Sequence, residues 1–338
     1  MNFEDYIEPE TRDRLLKGIS DAIDKLPGEE CGVKGPRERI RSYIIGGTHG
    51  KQLRPLLIVM ATKFLNGTPE QMELAYINAS SVELLHNMTL IHDDIVDMAP
   101  VRRGSPSYHV QHGEYLALHD GDILHSYAIS YVHHIPSLRL ILDIANLVGK
   151  GNGIELEMRL DNKFNFSIDD VIEILRLKTA VVFYGCIALA GAVTEREDVT
   201  KPLEKIIENA GIAFQIQDDI LDVILQNPEK IADFGKIHNW DIQESKRNLF
   251  LYYSLKKGNK EKLIEIYSKP VGKKTDEDIK FVMNEFKKVQ DDVIALRDKY
   301  LEECLDKLDE LNEKSSDDVK QLYDFLRDLI IYICTREK

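Results

Sequence analysis

Apolar residues recur at steps of three and four positions along nearly the whole chain, and this helical period constrains the fold more than any other feature. We find no series of short alternating segments joined by Asn-Gly or Asp-Gly turns, the pattern that is typical of strands. From Gln71 to Asp97 the apolar side chains follow one stripe with no proline before Pro100, which predicts one long helix. Similar patterns predict helices from about Ile168 to Val193, from about Val199 to Leu225 and after Thr275.

Glycine and proline mark the breaks between these helices, and no break is long enough to be a domain linker. We expect the breaks at Pro27-Gly28, Gly46-Gly47, Gly67 to Pro69, Pro100 to Pro106, Pro136, Gly149 to Gly153, Asn227-Pro228 and Gly235. Hydrophobic residues make up 43% of the 338 residues, so the chain can bury a sizeable core. The sequence therefore predicts an all-α protein with one domain over residues 1–338, a single large bundle of long, mostly antiparallel helices around a central cavity.

The charge balance argues against nucleic acid as a partner. The chain has 44 Lys and Arg against 58 Asp and Glu, and the resulting net charge of −14 has the wrong sign for binding a polyanion through the overall field. No apolar run reaches the length of a transmembrane helix, since the longest one extends from Ala180 to Val193. We interpret this run as a buried core helix and expect no stable membrane insertion.

The cysteines and the start of the chain predict a cytoplasmic location. The residues after Met1 lack the basic and apolar stretches of a signal peptide. The four cysteines lack the paired spacing of a zinc site or of a disulfide framework, and they are Cys31, Cys186, Cys304 and Cys334. We therefore expect reduced thiols.

An Asp-rich string, Asp93-Asp94-Ile95-Val96-Asp97, ends the first long helix. Asp93 and Asp97 are one helical turn apart and project from the same face. Two carboxylates so placed suit a hard divalent cation such as Mg²⁺, which usually shares its ligands with substrate phosphates. The neighbouring residues are apolar, so these acids interrupt a core-forming helix and need counter-ions.

The string recurs as Asp218-Asp219-Ile220-Leu221-Asp222, again inside an apolar helical pattern and with Gln215 three residues before it. Two such strings are unlikely by chance in a chain of this composition. If they face each other across a bundle, they form a carboxylate-lined cavity for several Mg²⁺ ions.

Two basic clusters are candidate binding sites for a diphosphate. Arg102 and Arg103 follow the first string directly, and Lys51 and Arg54 are three residues apart at a probable helix start. Guanidinium groups bind phosphate in a bidentate manner, and lysine supplies a compact charge. His86 has the helical phase of Asp93 and Asp97 to within about 20°, and we expect it to point into the same cavity.

These segments resemble, in order, those of the trans-isoprenyl diphosphate synthases, the polyprenyl synthase family that includes farnesyl and geranylgeranyl diphosphate synthases. The resemblance covers essentially the whole chain. The matching segments are Gly50 to Pro55, Glu83 to His86, Asp93 to Gly104, Gly121-Asp122, Gly151 to Glu157, Lys178-Thr179, Phe214 to Asp222, Gly235-Lys236 and Lys246. The resemblance implies the isoprenoid synthase fold, a homodimer and three Mg²⁺ ions per active site.

The resemblance also implies the reaction and the roles of the site residues. An allylic diphosphate ionises, isopentenyl diphosphate adds to the cation, and a proton is lost to the departing diphosphate. Metal ligands would be Asp93, Asp97, Asp218 and Asp222, supported by Asp219; the allylic diphosphate would contact Arg102, Lys178, Gln215 and Lys236; isopentenyl diphosphate would contact Lys51, Arg54, His86 and Arg103, together with Arg336 and Lys338. Among these, Asp93, Asp97, Arg102, Lys178 and Asp218 would be the catalytic residues.

The residues four and five before the first string, Thr89 and Met88, would limit product length in this family. Neither is aromatic, and the flexible Met88 is of middling size, so we favour geranylgeranyl diphosphate (C20). A C15 product and products of C25 or longer are the alternatives.

Three other classes of protein fit the sequence less well. A terpene cyclase or a squalene synthase-like enzyme fits less well because the second Asp-rich string, Lys51 and Arg54 are present. A non-catalytic subunit of a heteromeric synthase commonly lacks one of the strings. A di-iron site would need a second Glu-x-x-His in addition to Glu83 to His86.

The chain departs from the family pattern at Asn152, where glutamine is common, and in the segment Gly235 to Asp241, where a glycine is missing.

Overall fold

The computed structural model describes residues 3–29, 35–46, 50–224 and 239–336, and its helices confirm the prediction of an all-α protein. From the N-terminus the elements are α1 (Pro9–Asp24), α2 (Pro36–Ile44), α3 (Leu53–Phe64), α4 (Pro69–Val96), β1 (Val101–Arg102), β2 (Ser105–Pro106), α5 (Tyr108–His112), α6 (Glu114–Ser130), α7 (Ile135–Leu160), α8 (Ile168–Leu175), α9 (Val181–Thr194), α10 (Glu197–Thr200) and α11 (Glu204–Ile224). The remaining helices are α12 (Trp240–Gln243), α13 (Leu249–Lys257), α14 (Lys260–Tyr267), α15 (Asp276–Lys314) and α16 (Asp317–Thr335). The described residues also form 3₁₀ turns at Phe3–Tyr6 and Lys201–Leu203 and a π-turn at Arg176–Ala180.

Helix α4 confirms the helix predicted from Gln71 to Asp97. Its start is fixed by a capping box, in which the Gln71 backbone N–H donates to the Thr68 Oγ1 at 3.3 Å and the Thr68 N–H donates to the Gln71 Oε1 at 2.9 Å. Pro69 occupies the first turn, where its missing N–H has no intrahelical partner to lose. The helix continues to Val96, which places the whole first Asp-rich string at its C-terminal end.

The apolar run from Ala180 to Val193 is a core helix, as expected. The helical segment Ile168–Thr194 is long and apolar enough to cross a membrane, but 83% of its most apolar 18-residue stretch is buried inside the protein. Ser167 begins it with a second capping box, in which the Ser167 backbone N–H donates to the Asp170 Oδ2 at 2.7 Å and the Ser167 Oγ accepts from the Asp170 N–H at 3.1 Å. Helix α15 begins at Asp276, where the pattern predicted it, whereas α11 begins at Glu204, later than the expected Val199.

The expected break from Gly149 to Gly153 is wrong, because α7 runs through it without interruption. Gly151 instead allows close packing: a Cβ at this position would lie 2.8 Å from the Leu177 Cβ and 3.2 Å from the Lys178 backbone nitrogen. A glycine inside a helix destabilises it, and here the close approach of the π-turn accounts for the residue.

The chain divides into two compact units. The first comprises the described residues of 1–144, 185–203 and 314–328, and in it α4 packs against α1, α3 and α6. The second comprises those of 145–184, 204–313 and 329–338. Its core is an apolar cluster to which α8, α11, α13, α14 and α15 contribute, with fully buried residues such as Leu249, Phe250, Val282 and Phe286. The prediction of a single domain over residues 1–338 stays a prediction.

Candidate active site

The carboxylates of the first Asp-rich string differ in their burial. Asp94 is fully buried and accepts from the Arg102 Nε, at 3.0 Å to Oδ1 and 3.2 Å to Oδ2, and the Arg102 Nη2 contacts Oδ1 as well. Asp93 and Asp97 are partly buried. Asp93 and Asp97 are one turn apart, whereas Asp94 is about 100° from Asp93 and about 60° from Asp97 around the helix. Asp94 neutralises Arg102, and Asp93 and Asp97 stay the candidate metal ligands of this string.

A tight hairpin places the two arginines beside this string. Val101 pairs with Pro106 and Arg102 with Ser105, so that Arg103 and Gly104 form a two-residue turn. Both turn residues have positive φ, 53° for Arg103 and 74° for Gly104, as a type I′ turn requires. Arginine rarely adopts this conformation, and strained backbone of this kind clusters at functional sites.

Two arginines of the first unit lie beside His86 and its neighbour Asn87. The Arg54 Nη1 lies 3.3 Å from the His86 Nε2, and the Arg103 Nη1 donates to the Asn87 Oδ1 at 3.3 Å. Asn87 is held in turn by Glu83, to whose carbonyl oxygen and Oε1 its Nδ2 donates at 2.8 Å and 3.0 Å. Three of the residues predicted to bind isopentenyl diphosphate, Arg54, His86 and Arg103, therefore lie together. Lys51 is exposed two residues before α3 begins, Arg336 belongs to the second unit, and Lys338 lies outside the described residues.

Burial and three arginine charges act on the pKa of His86 in the same direction. Burial lowers the pKa of His86 well below its ordinary value, and the charges of Arg54, Arg103 and Arg102 lower the pKa further. His86 is therefore a neutral imidazole at pH 7 that can donate one hydrogen bond. A group of guanidinium charges around a neutral donor is suited to a diphosphate.

In the second unit, the first residue of the second Asp-rich string contacts the C-terminal end of α16. The Arg336 guanidinium pairs with the Asp218 carboxylate and lies over the Phe214 ring, 4.8 Å from its centroid. The neighbouring Gln217 fixes the tail, because its Nε2 donates to the Arg336 carbonyl oxygen at 2.8 Å. Asp218 is partly exposed, whereas Asp222 is buried.

Asp219 is at the centre of a buried polar network. Its Oδ1 accepts from the Lys246 Nζ at 3.2 Å and from the Gln215 Nε2 at 3.4 Å, and Lys246 also donates to the Asp241 Oδ2 at 2.9 Å. The Thr179 Oγ1 donates to the Gln215 Oε1 at 2.9 Å. The network thus joins α11 to the π-turn and to α12.

Burial and charge oppose each other at Asp219. Burial raises its pKa to about 6, and the nearby Asp241 carboxylate raises it too, while Lys246 acts in the opposite direction. The pKa of Lys246 lies well above its ordinary value because Asp219, Asp241 and Glu155 outweigh the effect of its burial. Lys246 is therefore a permanent cation within this acidic cluster.

The same cluster contains a carboxylate oxygen that could bind a metal ion. The Asp219 Oδ2 is buried and has no hydrogen-bond partner among the described residues. An orphaned, buried carboxylate oxygen fits a hard cation that takes oxygen ligands. No group of three or more His, Cys, Asp or Glu side chains in the described ranges is arranged to hold a metal by itself.

Lys178 lies in the π-turn and forms an ion pair with Glu155 of α7. Gln215 and Lys178 therefore belong to neighbouring parts of the second unit, as their predicted common role requires. Lys236, together with Gly235 and His238, lies outside the described residues, so its predicted contact with the allylic diphosphate stays a prediction.

Sequence reasoning gave no role to three residues that the structure places next to predicted site residues. They are Asn87, Asp94 and Glu155. Asp94 could have been found from the helical phase of its string, and Glu155 is part of the segment Gly151 to Glu157. No signal in the sequence pointed to Asn87.

Comparisons with known proteins agree with this description. The chain matches the polyprenyl synthetase family over residues 38–286. It is 33% identical to the geranylgeranyl diphosphate synthase of Saccharolobus solfataricus over 217 residues, which are 61% of this chain and 63% of that protein. It is 30% identical to the geranylgeranyl diphosphate synthase of Sulfolobus acidocaldarius over 315 residues, 90% of this chain and 93% of that protein.

A solved structure extends the likeness to the fold. The polyprenyl synthase of Caulobacter crescentus CB15, in complex with calcium and isoprenyl diphosphate, is similar with a TM-score of 0.78 and 25% identity over 96% of this chain and 98% of that chain. The all-α fold and these relatives define a prenyltransferase with the isoprenoid synthase fold. The chain belongs to the polyprenyl synthetase family, whose members depend on a metal ion and act on isoprenyl diphosphates. This confirms the resemblance found in the sequence.

Proposed function

We propose that the protein is a Mg²⁺-dependent geranylgeranyl diphosphate synthase, which condenses isopentenyl diphosphate head-to-tail with an allylic diphosphate. The observation that carries the proposal is the convergence of Arg54, His86 and Arg103 beside the string that contains Asp93 and Asp97. Cations for a diphosphate and carboxylates for a metal ion occur there in one unit. The name of the Sulfolobus acidocaldarius relative, which aligns over 90% of this chain, supports the C20 product.

The chemistry explains why such residues are needed. When the C–O bond of the allylic diphosphate breaks, the electron pair leaves with the diphosphate and an allylic cation remains. The double bond of isopentenyl diphosphate attacks that cation, and a proton is lost to the released diphosphate. No nucleophilic side chain takes part, so the protein acts by stabilising the leaving group with fixed charges. Bound Mg²⁺, three ions in our proposal, would supply further positive charge to that leaving group.

The residues of the first unit divide into two groups by this proposal. Asp93 and Asp97 would hold Mg²⁺, and Arg102, fixed by Asp94, would contact the diphosphate of the allylic substrate. Lys51, Arg54, His86 and Arg103 would bind isopentenyl diphosphate. In its neutral state His86 can donate one hydrogen bond to a phosphate oxygen, and Arg54 and Arg103 supply the positive charge.

The residues of the second unit would act on the allylic diphosphate and its metal ions. Asp218 and Asp222 would be metal ligands, and Asp219, which accepts hydrogen bonds from Lys246 and Gln215, would support them. Lys178, Gln215 and Lys236 would contact the diphosphate. The orphaned Asp219 Oδ2 supports a cation in this cluster.

Product length depends, in our proposal, on Met88 and Thr89. Both are partly buried on α4, and the Thr89 Oγ1 donates to the His86 carbonyl oxygen at 2.8 Å, which fixes its side chain against the helix. Met88 has three rotatable side-chain bonds and can adapt to a growing chain. A side chain of this size supports growth beyond C15.

We also propose a homodimer that works in the cytoplasm. Four large apolar side chains of the first unit are exposed on α5 and α6, namely Val110, Tyr115, Leu116 and Leu118. Exposed apolar side chains close together are typical of a surface that another protein covers. Cys186, Cys304 and Cys334 are free thiols in the described part of the chain, which supports a reducing compartment. Light scattering of the purified protein at several concentrations tests the dimer.

The experiment that tests the function is an incubation of purified protein with labelled isopentenyl diphosphate, Mg²⁺ and each allylic diphosphate from C5 to C20. Products are dephosphorylated and their lengths read by chromatography. A C20 product supports the proposal. A product that stops at C15 or continues to C25 keeps the reaction but contradicts the role of Met88 and Thr89. Release of diphosphate without elongation would indicate a cyclase-like reaction, and complete inactivity would indicate a partner-dependent subunit.

A further inference from the structure

The Glu155–Lys178 pair is asymmetric in its burial. The Glu155 side chain is 11% exposed, whereas the Lys178 side chain is 26% exposed. Burial alone raises the pKa of Glu155, but the charges of Lys178, Lys246 and Arg159 hold it below its ordinary value, so the carboxylate is ionised. A buried anion thus faces a lysine that keeps part of its surface accessible.

The backbone around Lys178 is shaped for this contact. Lys178 is the middle residue of the π-turn Arg176–Ala180, a wider turn that interrupts the helix between α8 and α9. Such single π-turns occur frequently at functional sites, because they change the face from which the following side chains project. The turn presents Lys178 to Glu155 and the next residue, Thr179, to Gln215.

Two glycines of flanking helices lie directly against this turn. A Cβ at Gly211 of α11 would lie 2.5 Å from the Ala180 Cα, and a Cβ at Gly151 of α7 would lie 2.8 Å from the Leu177 Cβ. Gly151 and Glu155 are four residues apart and share a face of α7. The close approach at Gly151 therefore brings the π-turn within reach of the Glu155 carboxylate.

We propose that Glu155 is a positioning residue, which holds the Lys178 ammonium group in place before the substrate diphosphate binds. The proposal rests on the proposed function, in which Lys178 contacts the allylic diphosphate. Lysine carries a flexible four-carbon stem, and fixing it in advance removes an entropic penalty from binding and from the transition state. Fixed charges that need no rearrangement are the ones that stabilise a leaving group most effectively.

The test compares Glu155→Gln, which keeps the size of the side chain and removes its charge, with Glu157→Gln. Glu157 is an exposed glutamate on the same helix and serves as the matched control. We expect Glu155→Gln to lower kcat/KM for the allylic diphosphate by about tenfold or more, since a displaced charge loses much of its catalytic effect. KM for isopentenyl diphosphate should stay within about twofold, and Glu155→Asp, which keeps the charge, should recover part of the loss.

A double-mutant cycle with Lys178→Met separates positioning from a general effect on folding. If Glu155 acts through Lys178, the double variant loses no more activity than Lys178→Met alone. Effects that multiply, or a loss from Glu155→Gln that is no larger than that from Glu157→Gln, would overturn the proposal. Thermal unfolding of each variant verifies that the assays are made on folded protein.

Calorimetry with inorganic diphosphate and Mg²⁺ distinguishes failure of this proposal from failure of the proposed function. Weaker binding by Glu155→Gln than by the wild type supports positioning even if no prenyl diphosphate is formed. Equal binding by both proteins contradicts positioning whatever the activity. If the wild type neither elongates a substrate nor binds diphosphate, both proposals are wrong.

Discussion

Asp94 and Arg102 form a paired charge in which the carboxylate is fully buried and accepts the Arg102 Nε at 3.0 Å and 3.2 Å. The Arg102 side chain is itself only 13% exposed. Removing one partner of a buried pair leaves the other charge without compensation. The middle aspartate of the first string therefore has a structural role as the counter-ion of Arg102.

We expect Asp94→Asn to lower the free energy of unfolding by about 3 kcal/mol, because the buried Arg102 guanidinium loses its counter-ion. Urea unfolding followed by circular dichroism measures the change. Asp292→Asn is the control, since Asp292 pairs with Lys257 at a more exposed site and its loss should amount to less than about 1 kcal/mol. Equal losses for the two variants would contradict this view of Asp94.

Asp93→Asn and Asp97→Asn should act on activity instead of stability. Each variant removes a proposed metal ligand from the partly buried face of α4, and we expect kcat to fall by about 10²-fold or more. The midpoint of urea unfolding should change far less than in Asp94→Asn. Turnover is measured over a range of Mg²⁺ concentrations, and treatment of the wild type with EDTA should abolish turnover until Mg²⁺ is restored. Wild-type activity that survives EDTA would contradict the metal requirement.

The parts of the fold that could be predicted from the sequence are those that a local pattern determines. The stripe from Gln71 to Asp97 gave α4 nearly to the residue, since its periodicity is long and its capping residues are adjacent to it. The phase of Asp93 and Asp97 also follows from the helix alone. In contrast, the glycines from Gly149 to Gly153 predicted a break in the helix. The sequence alone does not show that the π-turn packs against Gly151, which explains a glycine inside a continuous helix.

Contacts between residues that are far apart in the sequence could not be predicted from local patterns. Glu155 meets Lys178 only because the π-turn changes the face of the helix, and a helical period of 3.6 residues gives no warning of it. Arg336 meets Asp218 through the packing of elements 118 residues apart. The resemblance to a family supplied Lys178 and Gln215, whereas their partners Glu155 and Thr179 came from the structure.

The contact between Arg336 and Asp218 yields a prediction on metal affinity. The guanidinium neutralises a carboxylate that we propose as a metal ligand, so a metal ion must compete with it. Arg336→Ala should therefore bind Mn²⁺, used as a probe for Mg²⁺, about threefold to tenfold more tightly in the absence of substrate, in line with the strength of a partly exposed ion pair. Electron paramagnetic resonance of free Mn²⁺ measures the affinity. Arg327→Ala is the control, and weaker Mn²⁺ binding by Arg336→Ala would contradict the competition.

The buried ammonium group of Lys274 gives a prediction on how stability depends on pH. It is 5% exposed, and its Nζ donates to the Gln243 carbonyl oxygen and to the Ser245 Oγ, each at 2.8 Å. Burial lowers the pKa of Lys274 from 10.5 to about 8, and the charges of Arg247 and Lys269 lower it further, against the opposite effect of Asp278 and Glu244. The folded protein thus releases this proton at a lower pH than the unfolded chain does.

The sign of the effect follows from the number of bound protons. Between pH 8 and pH 10.5 the unfolded chain binds more protons at Lys274 than the folded protein, so this residue's contribution to stability rises as the pH rises through that range. Relative to Lys274→Met, the wild type should gain roughly 2 kcal/mol of unfolding free energy between pH 7 and pH 10. Denaturant unfolding of both proteins across that range cancels the contributions of all other groups. The exposed Lys273→Met is the matched control and should show no such gain, and a constant difference between the wild type and Lys274→Met would show that Lys274 does not lose its proton in this range.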